Sequence, residues 1–307
     1  MSVPAAYLGV ILIWTTTPLA IKWSAEGGNF LFGVTARMVI GAVLCLLLLL
    51  MTRTPLPWQA RARRTCLASG LGIFGSMTCV YWGAMYLPSG WISVIFGLNP
   101  ILTGLFANLW LQEKGLTRPR LAGMSLALLG LAWIFGSGAA LGFHAGWGIV
   151  AIVLATLIQA ASSVWVKRLG AQVPALAVTG GGVGVAAILL LMTCLLTGTG
   201  WPVQLSSRAA LCIVYLGIVG SIIGFALYFF VLKHVEATKV ALITLVTPVS
   251  ALLLGNLLNG EPLTFAVMSG TAIILAGLLL FLYGDRWLRQ RPSTALTIDT
   301  ESSQENS

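Results

Sequence analysis

Apolar residues run in ten blocks, near residues 4–22, 30–51, 66–86, 89–111, 119–137, 146–167, 174–197, 208–231, 237–258 and 263–284, with short polar connectors between them. Each block is long enough to cross ~30 Å of hydrocarbon as an α-helix. The pattern therefore predicts an all-α polytopic membrane protein with ten transmembrane helices. No basic stretch precedes the first block, no Ala-x-Ala site follows it, and Lys22 comes after it, so it is expected to be a retained span rather than a removable signal. Beyond Arg291 the chain is rich in Ser and Thr, carries Asp299, Glu301 and Glu305, and has no apolar periodicity. Residues 285–307 are expected to form a disordered cytoplasmic tail.

One motif occurs twice within these blocks, a proline deep in an apolar run followed by a glutamate just past its end: Pro100 with Glu113, and Pro248 with Glu261. With one residue dropped from the second copy, Leu116-Thr117, Gly123 and Gly130 are answered by Leu263-Thr264, Gly270 and Gly277. The repetition divides the chain into a five-helix unit over 1–137 and a second over 138–284. An odd number of spans per unit turns the second copy over, so two inverted five-helix repeats are expected. Duplicated membrane halves of this kind are found above all in transporters, where two near-equivalent packings of the same parts allow alternating access.

Composition agrees: 8% of the 307 residues are charged, 58% are apolar, and mean hydropathy is +0.96. The net charge of +9 would suggest nucleic acid in a soluble domain, but its distribution explains it otherwise. Arg53, Arg61, Arg63, Arg64, Lys114, Arg118, Arg120, Lys167, Arg168, Lys233, Lys239, Arg286, Arg289 and Arg291 fall in alternate connectors on one side. The other side has only Lys22 and Arg208, and Arg37 lies inside a span. By the positive-inside rule both termini are expected in the cytoplasm, and the expected location is the plasma membrane, the inner membrane of a bacterium. No nucleic-acid partner is expected. The five cysteines lie in or at the ends of apolar runs without disulfide or metal spacing.

Ten spans, the doubled Pro-x12-Glu followed by Leu-Thr and a glycine-containing helix, and Phe32-Gly33-Val34-Thr35-Ala36-Arg37 in the second span together resemble the EamA family of the drug/metabolite transporter superfamily. The resemblance covers about residues 4–284. It implies an exporter of amino acids or related metabolites, with a central cavity between the first four helices of each half and the fifth and tenth helices peripheral. The small multidrug members of that superfamily rely on a membrane-embedded glutamate, which this chain does not have. Its acids stand at span ends or outside, which points to uniport, exchange, or ion coupling through neutral oxygens.

Candidate site residues follow from the cost of polarity in lipid. Pro100 and Pro248 each free a backbone carbonyl, at Phe96 and Thr244, which either lines a wet cavity or marks a packing kink. Matching interruptions in two halves point to a midplane site and make both prolines candidates for helix breaking and gating. Asn99 and Thr247 beside them either bond a solute or mend the backbone. Aligning Lys22 with Lys167 sets Trp14 opposite Gln159 and Pro18 opposite Ser163, and Gln159 and Ser163 share a helix face. Each polar group there either glues helices or reads a substrate. Arg37, eighth from the outer end of the second span, either snorkels and bonds neighbouring helices or meets a solute carboxylate or phosphate. Tyr81, Trp91 and Tyr228 add rings that could stack a planar solute, although Trp91 also reads as an interface anchor. Gly72/Ser76 and Gly220/Gly224 allow close helix contact.

The expected function is thus export of a small polar or aromatic metabolite, with the solute and the bilayer as partners, in a monomer or homodimer. No cofactor or metal is expected. A flippase of a lipid-linked metabolite is the alternative, and a non-transporting receptor or scaffold a more distant one. An enzyme is disfavoured because His144 and His234 are the only histidines and neither has ligand-spaced neighbours.

Overall fold

The computed structural model describes residues 2–26, 29–54, 59–112, 117–136, 144–169, 173–200, 202, 204–234 and 243–289. Among them are twelve α-helices, one π-helical segment and no strand. In order they are α1 Val3–Ser24, α2 Phe30–Met51, α3 Ala60–Ala84, α4 Ser89–Phe96, α5 Asn99–Leu111, α6 Arg118–Gly136, α7 Ala145–Leu169, α8 Ala175–Leu196 and α9 Ser207–Tyr215. The π segment Leu216–Ile223 leads into α10 Gly224–His234, followed by α11 Ile243–Asn259 and α12 Phe265–Arg289. Eight stretches of described residues are long and apolar enough to cross a membrane, one running from α4 through α5 and another from α9 into α10. The expected fifth and ninth spans are present as the helices α6 and α11 but are not among those eight. Glu113, Lys114, Leu116, Glu236, Lys239 and the tail beyond Arg289 lie outside the described residues, as does the side chain of Thr244.

Local chemistry sets the helix ends. Asn29 and Ser206 cap α2 and α9 by accepting from the backbone N–H of Leu31 and Ala209. Thr52-Arg53-Thr54 ends α2 and Thr197-Gly198-Thr199 ends α8 in the same way. The middle residue takes a left-handed φ of 49° or 63°. Thr54 N donates to Leu49 O and Thr199 N to Cys194 O, while the two hydroxyls of each pair bond one another. Gln112 and Gly260, each just before a glutamate of the doubled motif, are also left-handed, at 53° and 61°.

The helices pack in reciprocal pairs. α3 lies along α7 while α1 lies along α9 and α10, α5 meets α7 while α1 meets α11, and α2 packs on α8 as α4 does on α11. α6 and α12 pair with each other at the edge of the bundle through four glycines. A Cβ on Gly123 would stand 2.6 Å from Gly277 O, and one on Gly277 2.6 Å from Gly123 O. Gly130 and Gly270 face each other likewise, at 2.8 and 3.0 Å. The order of these contacts makes the two helices antiparallel, with backbones as close as small-residue packing permits.

Gly123→Ala would drive its new methyl into backbone, 2.5 Å from Phe281 N. That clash should cost about 1–3 kcal/mol, the usual range for overpacking. Gly184→Ala in α8 meets nothing within 4 Å. It should be neutral or stabilising by up to about 1 kcal/mol through helix propensity. Thermal unfolding of the purified variants compares them, and equal midpoints would contradict the close α6–α12 approach.

Candidate solute site

Arg37 is 3% exposed in α2, with its guanidinium held against the π segment. Its Nε donates to Ser221 Oγ at 3.1 Å, and Ser221 Oγ in turn donates to Leu216 O five residues back, the spacing of a π turn. Glycines make the approach possible. A Cβ on Gly217 would collide with Ile40, 2.7 Å from Cγ2, and one on Gly220 would reach Arg37 Nη2 at 3.4 Å. One turn on, Gly224 lies against Trp14, whose ring stands 5.0 Å from that of Tyr228. Also on α2, Gly33 is one helical turn from Arg37 on the same face and packs on Tyr81.

Arg37 Nη1 is buried and has no hydrogen-bond partner, and the same is true of Thr15 Oγ1, Ser76 Oγ, Tyr81 Oη and Asn99 Oδ1. Thr15, Arg37, Ser76 and Asn99 lie seven to ten residues from the ends of their spans at Ser24, Phe30, Ala84 and Ser89. At 1.5 Å per residue these atoms share a level about 10–15 Å below that face, close to the middle of the hydrocarbon. Tyr81 sits higher, three residues from the end of α3. No carboxylate among the described residues pairs with Arg37. An unpaired arginine at this depth costs about 2.5–3.5 kcal/mol on insertion scales.

The structure distributes the other predicted residues differently. Trp91 is buried facing Leu131 and Ile134 of α6 and Val267 of α12, around a void of about 10 Å3, and so points to the edge pair rather than to Arg37. Ser163 is exposed, and its hydroxyl donates to Gln159 O on its own helix; Gln159 is half-buried. The prolines also part company. Pro100 opens α5 just past a break at Gly97–Leu98, where Leu98 N falls back to a tighter bond with Ile95 O. Pro248 lies inside the unbroken α11, so it does not break its helix as the motif suggested. The difference comes from the residue three before each proline, the poor helix former Gly97 against Leu245. The two elements still meet, because Gly97 faces Pro248 Cγ at 3.7 Å from its would-be Cβ. Thr247 is buried beside Pro248.

Glu261 has a role that hydropathy did not reveal. Its carboxylate is 7% exposed and grips the start of α4: Oε1 accepts from Ser89 N at 2.9 Å, and Oε2 from Ser89 Oγ at 2.9 Å and Gly90 N at 3.3 Å. An acid at a helix N-terminus meets both the unpaired N–H groups and the positive end of the dipole. Asn259 Nδ2 donates to Oε1 and Asn256 Nδ2 to the Glu261 carbonyl. Gly255 leaves room for the carboxylate. α1 joins the clasp, with Trp23 Nε1 donating to Asn259 Oδ1 at 3.0 Å and Lys22 Nζ to Leu87 O at 2.8 Å. A signal for it was present, since Asn256 stands eight residues past Pro248 as Asn108 does past Pro100, which extends the doubled motif to Pro-x7-Asn-x4-Glu.

Known proteins resemble this chain along nearly its whole length. The model of the EamA-like transporter family matches residues 3–136 and 146–283. An uncharacterized transporter of Archaeoglobus fulgidus is 25% identical over 88% of this chain and 95% of its own length. The uncharacterized inner membrane transporter YedA of Escherichia coli K12 is 25% identical over 97% of this chain and 96% of its own. A solved crystal structure, described only as that of a protein, aligns with a TM-score of 0.65 at 23% identity, over 93% of this chain and 99% of that one. At that identity the likeness speaks for the fold alone.

The clasp can be weighed by a double-mutant cycle. Ser89→Ala and Glu261→Gln should each destabilise the protein by about 1–3 kcal/mol, the cost of leaving a buried polar partner unmet. Their effects should overlap by about 0.5–3 kcal/mol in unfolding measurements, as for residues in one hydrogen-bond network. Strict additivity would mean that the contact carries no energy.

Proposed function

The chain belongs to the EamA-like transporter family, and from that premise we propose that it exports a small carboxylate-bearing solute, an amino acid or a close relative, by alternating access of two inverted halves. The observation that carries this reading is Arg37, a buried cation with one Nη donor unmatched and no acid among the described residues to neutralise it. A solute carboxylate would supply both the missing acceptor and the missing charge, in the geometry that a guanidinium fork suits best. Thr15, Ser76 and Asn99, unmet at the same level, are suited to the solute's amino and other polar groups. Trp14 and Tyr228 offer rings against its side chain.

The reciprocal packing supports the inverted arrangement. Exchanging the halves converts the Gly123–Gly277 contact into Gly270–Gly130, and the α3–α7 pairing into that of α10 with α1. Two such packings of the same parts would open the Arg37 level alternately to either face. In the closed arrangement the Glu261 clasp ties α1, α4 and α11 together at the opposite face, where Lys22, Glu26 and Arg208 lie, and the break at Gly97 lets the two parts of that span move apart. Export is the direction that the family resemblance implies, with the basic face in the cytoplasm.

Comparing medium and cytosol of cells that overproduce the chain with those of cells lacking it identifies the solute; its depletion from the medium would overturn export. With that solute in proteoliposomes, Arg37→Gln should reduce transport about tenfold or more, since a hydrogen bond to a charged group contributes about 1.5–3 kcal/mol. Arg37→Lys should retain only part of the activity, because an ammonium keeps the charge without the fork. Unaltered transport by both variants would remove Arg37 from the site.

A further inference from the structure

We propose that the junction of α3 and α7 at the basic face binds a phosphate-bearing anion, for which a lipid headgroup and free phosphate are the two sources. Arg61 and Arg64 from the first turns of α3, with Trp165, Arg168 and Leu169 from the end of α7, line an open cavity of about 500 Å3. Arg61 is already engaged, since its Nε donates to Leu169 O and ties the two helices together. Arg64 and Arg168 are exposed, and no carboxylate among the described residues pairs with either. Guanidinium groups brought to one opening repel each other until an anion enters, and phosphate accepts from several of them at once.

Topology alone calls for arginines on this face. It does not call for three of them, from helices far apart in the sequence, at a single opening. The corresponding junction at the opposite face, between the start of α9 and the end of α1, is built the other way. There Arg208 pairs with Glu26 and stands 5.3 Å over the Trp23 ring, so the chain neutralises its own cation. Among the described residues the basic-face junction has no such acid, and it keeps the cavity. Trp165, 55% exposed and edge-on to Trp110 at 6.0 Å, sets its depth, because an indole with one face free settles at the headgroup level. That depth favours the lipid source, the headgroup of an anionic phospholipid, as in other basic pockets between membrane helices. This site is separate from the Arg37 level and does not depend on what is carried there.

The test uses the full-length protein in nanodiscs of phosphatidylcholine with and without phosphatidylglycerol, and in detergent with and without inorganic phosphate, reading thermal unfolding. Arg64→Gln combined with Arg168→Gln empties the opening of its free cations while sparing the Arg61 tie. Arg53→Gln combined with Arg63→Gln removes equal charge from the same face outside it. Phosphatidylglycerol should raise the wild-type midpoint by several degrees; the first pair should lose more than half of that rise and the second should keep it. An Arg64- and Arg168-dependent rise that free phosphate reproduces assigns the site to a soluble phosphate, whereas a rise with lipid alone assigns it to the headgroup. Equal rises in the wild type and the first pair, or none in either medium, overturn the proposal. Should the double variant fail to fold, native mass spectrometry of Arg168→Gln against wild type gives the same decision through the number of phosphatidylglycerol molecules retained.

Discussion

In a hydrocarbon interior no water completes a hydrogen bond, so each polar group on these helices has to be partnered by the chain itself. Most are. Threonines and serines within the spans return their hydroxyls to carbonyls one turn back, as Thr78 does to Phe74, Thr156 to Ile152 and Thr193 to Leu189. The N-terminus of α4 is capped by the Glu261 carboxylate arriving from the far end of the chain. Against that background the unmet atoms of Thr15, Arg37, Ser76 and Asn99 stand out, because they gather at one depth on four different helices. In the function proposed above these are the groups left for a solute, since groups satisfied within the protein have nothing to offer one.

The same constraint ties α4 to α1 and α11. α4 is short and breaks from α5 at Gly97, where the chain meets Pro248 of α11. Its N-terminal end is held by the residues that follow α11, and the tail of α1 joins them through Lys22 and Trp23. α1 also carries Trp14, which lies against Gly224 at the end of the π segment that holds Arg37. The clasp therefore joins three helices, of which α1 also reaches the neighbourhood of Arg37 through Trp14. The glycine-paired α6 and α12 form a separate edge, reached by Trp91 but not by Arg37.

What could be read in the sequence was what depends on composition along one strand of chain. The second apolar run, 30–51, coincides with α2 Phe30–Met51, and the first, 4–22, falls within α1 Val3–Ser24, because a hydrophobic run of membrane length registers directly as a helix. The facing of side chains was less legible. A span that is apolar all round has no polar side to orient it, so Trp91 could not be assigned to the edge rather than the centre. Pro100 and Pro248 look alike in the motif, and the break depends on Gly97, a residue outside it. Hydropathy puts Glu261 at a span end, but its burial depends on Ser89, 172 residues away in sequence. The π segment is recorded only in where Gly217 and Gly220 meet α2, a contact that no local pattern encodes.

The most direct measurement is a structure determined with the transported solute bound. If Arg37 is the anchor, an acceptor oxygen of the solute lies within about 3 Å of Nη1, at charge-assisted hydrogen-bond distance. The neighbouring unmet hydroxyls and the Asn99 amide are then turned toward the same molecule. Solute density elsewhere, with Arg37 Nη1 still unpartnered, would contradict the account.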